Sequence, residues 1–484
     1  MTAGRGLVVL HVDGLSKRTL EEAIRDGTMP FTRELVEREG YVAHPYRCGV
    51  PSTTPFAQAG ILYGDNSEIP SFRWWDREQE VPVQFGARST FKTVADRYFK
   101  GCEPLTKDGA CIAACYPAGA ADDFGIAYHD RTYAQEERSR SAMRVVAPYV
   151  LNPVHLGDWA GHTILALGRT AGDYLSARSE GRKPARAYVV SDALEEIFVH
   201  HLTRFAVEQA MDEGYAPIYA GFYAYDEIAH AFGPDDGHTL RMLRHVDRTI
   251  RKIAERRRDR YELVVLSDHG QVPMTPFAQH DGRTFGQVVS DWLPGFRIEE
   301  MKGKGAGPRP EDARGLVRLA YSGGLAHLYA GDSRRRLDVD ELRARMPSLV
   351  AGATAFERLA LVMGRRGGRD VFWSGGEEVS GAPLDDVLSR YDDPDILREQ
   401  LSRLNSFAAS GDLVMFAGWD GDRQLNFEEQ AGGHGSIGGE QLHPFVLARA
   451  DWNVDTSRVQ GAHELHAVLC DLRDRLGEGR SRAA

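Results

Sequence analysis

Short apolar runs that end in polar turns recur along this chain, with amphipathic stretches between them. The runs Leu7–Val12, Pro217–Tyr223, Leu263–Leu266 and Pro444–Ala448 read as buried strands. Leu194–Asp212 and Leu240–Arg257 carry helical patterns, and the second has a basic outer face ending in Arg256-Arg257-Arg258. A charged face of that kind is ordinarily solvated. Strands alternating with helices predict an α/β fold, a mostly parallel sheet sandwiched by helices. In such sheets ligands bind beyond the carboxyl ends of the strands. The polar residues just after each run are therefore the ones to read.

Two stretches interrupt the alternation. Residues 66–160 are rich in Gly, Pro and aromatics, with weak periodicity. Residues 271–430 hold further strands and helices, including Leu319–Tyr329 and the Gly-rich segments Gly303–Gly307 and Gly364–Gly368. The expected division is a discontinuous catalytic core of residues 1–270 and 431–475, an inserted smaller subdomain with loops at 271–430, and a flexible tail at 476–484. No internal repeat is present.

With 484 residues and 42% hydrophobic content, the chain has material for a large core, which excludes wholesale disorder. The net charge of −11 argues against a nucleic-acid polymer as partner. A small anionic substrate is still admitted, because a bound metal reverses the local field. The five cysteines form no C-x-x-C pair, and Cys111 and Cys115 read as ordinary thiols. The first apolar run is too short for a secretory leader or a membrane span, and nothing later approaches ~18 uninterrupted apolar residues. A soluble cytoplasmic protein is the expectation, with oligomeric state left open.

At the strand ends stand Asp13, then Asp226 and His230, then Asp268 and His269; His434 lies in Gly432–Ser436, ahead of the last run. Each alone has a structural reading as a cap or a hydrogen-bond partner. Six such residues directed to one sheet edge favour a metal site. The mixed oxygen and nitrogen set suits Zn²⁺ or Mn²⁺ better than Ca²⁺ or Mg²⁺. Asp226 and His230, at i and i+4, share a helical face. Asp268 and His269 would point oppositely on a strand, so both serve only if Gly270 ends it. In Cys48–Gly64 the order strand end, loop, short helix and Gly stop places Thr54 at a helix N-cap before Pro55. A hydroxyl there meets unpaired N–H groups and the positive helix end, as a phosphate would.

With these pieces in order, the chain resembles the alkaline phosphatase superfamily, in particular its type I phosphodiesterase/nucleotide pyrophosphatase branch. The resemblance rests on Asp13-Gly14, the Pro51-x-x-Thr54 loop, Asp226-x-x-x-His230, Ser267-Asp268-His269-Gly270 and Gly433-His434-Gly435. Residues 7–64 and 217–270 carry it well, 319–330 and 432–450 less so. It implies an alkaline-phosphatase-like fold and two divalent ions, Zn²⁺ first and Mn²⁺ second. Asp226, His230 and His434 would hold one; Asp13, Asp268 and His269 would hold the other, facing the Thr54 oxygen. It implies attack of Thr54 on phosphorus, a phospho-threonine, and its hydrolysis by water. The substrate would be a small phosphorylated molecule, nucleotides included. His238, His327 and His443 are weaker candidates.

Two departures bear on specificity. The branch typically follows its nucleophile with Phe-Pro-Asn, whereas Pro55-Phe56-Ala57 stands here, so Phe56 is the candidate aromatic contact. An expected downstream Asn is replaced by Phe72–Asp76, which makes Arg73 the candidate phosphate-binding group; Trp74 and Trp75 read as packing. A sulfatase is disfavoured, since Cys48 is one residue too far from Pro51 and no Arg follows. Phosphomonoesterase, phosphomutase and phosphonate hydrolase activities stand as alternatives, and a metal-stabilised binding protein is the non-enzymatic one.

Overall fold

The apolar runs form the centre of a six-stranded sheet. Gly6–Val12 lies between Ile218–Phe222 and Tyr261–Leu266, parallel to both, and Ala110–Ile112 extends the parallel set. Val8 stands opposite Ile218 on one side and Leu263 on the other. Every residue of these three central strands is buried, as the continuous apolar runs of a doubly covered sheet require. The computed structural model describes residues 5–84, 91–124, 193–301 and 315–478, with residues 126, 145–148 and single positions up to 175. Gly303–Gly307 falls outside the described residues.

Side chains alternate between the two faces of the sheet. Val8, Leu10 and Val12 pack with the helices Lys17–Asp26, Ala193–Glu213 and Gly237–Arg257. Leu7 and Val9 pack with Thr54–Tyr63 and Ala462–Gly477 on the other side. These last two helices touch closely: a Cβ at Gly60 would lie 2.6 Å from the His463 nitrogen. The final helix runs to Gly477, into the stretch expected to be tail, and residues 479–484 are outside those described.

The last strand, Phe445–Arg449, runs antiparallel to Tyr261–Leu266, with Tyr41–Pro45 beyond it at the sheet edge. Val446 pairs with Leu266. Its amino end therefore lies at the carboxyl edge of the parallel strands. The segment entering this strand, which carries His434, meets the residues that leave the others.

A second sheet of seven strands, mostly antiparallel, spans Arg297–Met301 to Leu413–Ala417. Its Tyr329, Leu361 and Phe416 join the same core as Leu7. The other face packs on helices through Phe285, Val289 and Leu342. Both ends of the 271–430 stretch meet in a small sheet, where Val272–Pro276 pairs with Arg423–Asn426 and with Gly432–Gly433. That sheet stands beside the edge at which the polar strand ends collect. No helix among the described residues is long and apolar enough to cross a membrane.

Candidate functional site

The loop after Tyr41–Pro45 feeds a helix, Thr54–Tyr63, that is buried over its whole length and stops at Gly64 in the left-handed conformation. The N-cap is Thr53, with Thr54 the first helical residue and Pro55 the second, one step from the sequence reading. Proline is tolerated anywhere in the first turn, where its missing N–H has no intrahelical acceptor. Its position therefore did not resolve a one-residue shift. Thr54 Oγ1 lies 3.1 Å from His269 Nε2 and 3.5 Å from Asp13 Oδ2. Ser52, by contrast, is taken up structurally, accepting the Gly435 N–H at 2.9 Å.

Asp226 and His230 share the Ala224–Phe232 helix, with His230 Nε2 3.0 Å from Asp226 Oδ2. His434 Nε2 lies 3.7 Å from Asp226 Oδ1, and its ring stacks on His269 with centroids 3.8 Å apart. Each imidazole is anchored through Nδ1 to a backbone carbonyl: His230 to Gly432 at 3.1 Å, His269 to Gly270 at 3.0 Å, and His434 to Ser52 at 2.7 Å. That is the arrangement of a metal-ligating histidine, which donates from one nitrogen and leaves the other to the ion. Gly14 is needed beside them: its φ is +71°, and a Cβ would lie 2.2 Å from Asp226 Oδ1.

Ligand atoms of Asp226, His230 and His434 lie within 4.8 Å of one another, as do those of Asp13, Asp226 and His269. A third such set, His11, Asp13 and Asp268, brings in a residue that sequence reasoning missed. His11 Nε2 is 2.9 Å from Asp268 Oδ1. The available signal was His-x-Asp spacing, which puts His11 and Asp13 on one face of a strand; an apolar run concealed it.

Three buried carboxylates meet here. Burial pushes the Asp13 carboxyl well above its usual range, and Asp268 and Asp226 push it further. Burial also opposes the charge on Asp226, but His230 and His434 override it and hold that carboxyl low. Burial would lower His230, yet Asp226 raises it to about 10, while burial and then His269 lower His434 to about 3. Asp13 Oδ1 and Asp268 Oδ2 are buried without a hydrogen-bond partner. Repelling carboxylates, orphaned oxygens and anchored imidazoles fit a divalent cation with mixed oxygen and nitrogen preference.

A cavity of about 360 Å³ opens over the cluster, lined by Thr54, Asp13, Asp226 and His434. Phe72, Arg73, Ser322 and Glu428 line it too. Arg73 reaches the cavity as an ion pair, 2.6 Å from Glu428. Phe56 does not reach it. The helix turns that ring into the core, and the aromatics at the cavity are Phe72 and Tyr223. Trp74 and Trp75 are buried, Trp75 beneath the Arg318 guanidinium at 3.7 Å. His327 bridges Pro70 O and the Gly411 N–H, His238 pairs with Asp236, and His443 faces Asp392, all apart from the cluster. Cys111 and Cys115 are buried free thiols.

The family profile described as "Type I phosphodiesterase / nucleotide pyrophosphatase" matches residues 7–355. The chain belongs to this family. It is a hydrolase acting on phosphoester bonds, with an alkaline-phosphatase-like fold, and that superfamily is metal-dependent. The match spans Asp13, Thr54, Asp226, His230, Asp268 and His269, while His434 lies beyond it. Among solved structures, the phosphonoacetate hydrolase of Sinorhizobium meliloti 1021 in complex with phosphonoformate is similar, at 15% identity and a TM-score of 0.53. The match covers 98% of this chain and 96% of that one. The phosphonoacetate complex of that protein matches over the same shares, at 15% identity and a TM-score of 0.51. At that identity the likeness is one of fold. No curated protein matches the sequence.

Proposed function

We propose that this family member hydrolyses phosphodiesters or phosphoanhydrides, nucleotides among them, with Thr54 as nucleophile. Asp226, His230 and His434 would hold one divalent ion, and Asp13, Asp268 and His269 a second, with His11 supporting Asp268. The observation that carries the reading is Thr54 Oγ1 at the start of a buried helix, bordering the cavity and 3.1 Å from His269 Nε2. When bound, Zn²⁺ or Mn²⁺ would favour the ionised hydroxyl and neutralise phosphoryl charge. The chain supplies the rest. His269 and Asp13 orient the Thr54 oxygen, and the first turn of its helix presents N–H groups to phosphoryl oxygens. In-line attack forms a bond from Thr54 Oγ1 to phosphorus and breaks the bond to the leaving oxygen. Water then cleaves the phospho-threonine and restores the hydroxyl.

The test compares bis-p-nitrophenyl phosphate with p-nitrophenyl phosphate on metal-loaded protein. The diester should have the higher kcat/KM, since it carries one charge less and two ions with helix N–H groups suffice for it. A monoester preference above ~100-fold, about 2.7 kcal/mol of transition-state binding, would overturn the assignment. A second reading, hydrolysis of a phosphonate, is favoured by the likeness in fold to the phosphonoacetate hydrolase along 98% of the chain. Faster phosphate release from phosphonoacetate than from either ester would move the assignment there.

A further inference from the structure

The cavity is also lined by a charged pair outside the proposed metal ligands. Arg73 and Glu428 pair there at 2.6 Å, each side chain only 18% exposed. Glu428 Oε2 also accepts the Gly323 N–H at 3.0 Å. The loop that bears Arg73 is tied to the same hairpin: Ser71 Oγ is 2.8 Å from Ser322 Oγ, and the Phe72 N–H donates to Ser322 Oγ at 3.0 Å. Arg73 is thus a cation held in place. Its guanidinium has five N–H donors in a planar fork, and a carboxylate contact through Nη1 leaves others for a second acceptor. Burial opposes the charge on Glu428, but Arg73 outweighs it and holds that carboxyl below the usual range. The pair therefore brings donors to the cavity with no net charge.

We propose that the Arg73–Glu428 pair sets the charge of the substrate: it offers arginine hydrogen bonds to a phosphoryl group while withholding the positive charge that a doubly charged phosphomonoester requires. The inference rests on the phosphodiesterase reading above and names the groups behind that preference. Glu428 acts as a positioning residue through Arg73. Its carboxylate repels a dianion about twice as strongly as a monoanion at the same place, because Coulomb energy scales with the product of the charges.

Glu428→Gln removes the charge and keeps one of the two acceptor oxygens that Arg73 and the Gly323 N–H now share out between them. The kcat/KM ratio of p-nitrophenyl phosphate to bis-p-nitrophenyl phosphate should rise at least tenfold. Calorimetric binding of inorganic phosphate at pH 8 to the metal-loaded protein should tighten by a similar factor. Arg73→Gln should move both quantities the other way, and the double variant should return them towards the parent values. Unchanged phosphate affinity and ester ratio in Glu428→Gln, at parental metal content, overturn the inference. Should that variant fail to fold, Arg73→Gln decides: phosphate binding that does not weaken overturns it. A parent protein that turns over neither ester defeats the phosphodiesterase reading instead, and the phosphate affinities still decide whether the pair sets charge.

Discussion

Thr54 is distinguished from its neighbours by what surrounds each hydroxyl. Ser52 is occupied by backbone and Gln441, and Thr53 Oγ1 is buried without a partner as the helix cap. Only Thr54 pairs cavity access with contacts to His269 and Asp13. Thr54→Ala should lower turnover by at least 10³-fold with metal content and far-ultraviolet dichroism unchanged, while Thr53→Ala retains turnover. The reverse result would move the nucleophile by one residue. His11 invites a second test. Its removal takes away the imidazole 2.9 Å from Asp268 Oδ1 and leaves a buried charge less compensated, which costs about 1–3 kcal/mol. His11→Ala should unfold at lower urea and, in elemental analysis, hold less metal than the parent. At this scale the strand-end residues were legible as a set, because six such residues gather at one sheet edge even though each alone could be a cap or a hydrogen-bond partner. His11 was not, since one polar residue inside such a run looks like noise. The Phe56 ring turns into the core with its helix, and the motif carries no sign that Phe72, from a later loop, borders the cavity.

Among the elements, the nucleophile helix depends on its neighbour. Gly60 sits at its crossing with Ala462–Gly477, where a Cβ would lie 2.6 Å from the His463 nitrogen and 2.7 Å from the Ala462 carbonyl carbon. Two effects oppose each other in Gly60→Ala. Helix propensity gains about 1 kcal/mol, whereas forcing two packed helices apart costs about 1–3 kcal/mol. Backbone atoms cannot swing away as a side-chain tip does, so the packing term should win. The variant is expected to have a lower urea midpoint with an unchanged slope, and a raised midpoint would show that the crossing relaxes. Strand existence was legible from apolar runs, but strand direction was not. An apolar pentapeptide reads alike in either sense, and only pairing showed that Phe445–Arg449 is antiparallel. That direction explains how a residue preceding its strand joins residues that follow theirs.

For the whole molecule, the cluster couples metal to stability. Asp13, Asp226 and Asp268 repel one another in a buried space, and an ion that binds only the folded chain stabilises it by about 4 kcal/mol at 1,000 times its dissociation constant. Elemental analysis should give two Zn or Mn per chain. Chelation should abolish hydrolysis and lower Tm, and re-addition should restore both. Full activity after exhaustive chelation would defeat the two-ion arrangement. The α/β core was legible at this scale, whereas the seven-stranded sheet was not. Its antiparallel strands lack the strand–helix alternation that marked the core, and Glu428, which neutralises Arg73, lies in the loop that follows it, between Arg423–Asn426 and Gly432–Gly433. The antiparallel last strand also fixes the order in which the protein can be finished during synthesis. Among the described residues Tyr41–Pro45 pairs in the sheet only with Phe445–Arg449, and Tyr261–Leu266 has one edge covered by that same strand. Until residue 449 has left the ribosome, two early segments wait with unpaired edges, and His434 is the last ligand to arrive. A nascent chain stalled between residues 270 and 433 carries most of the chemistry and none of the closed site, so premature release yields an inactive chain with an edge open to aggregation.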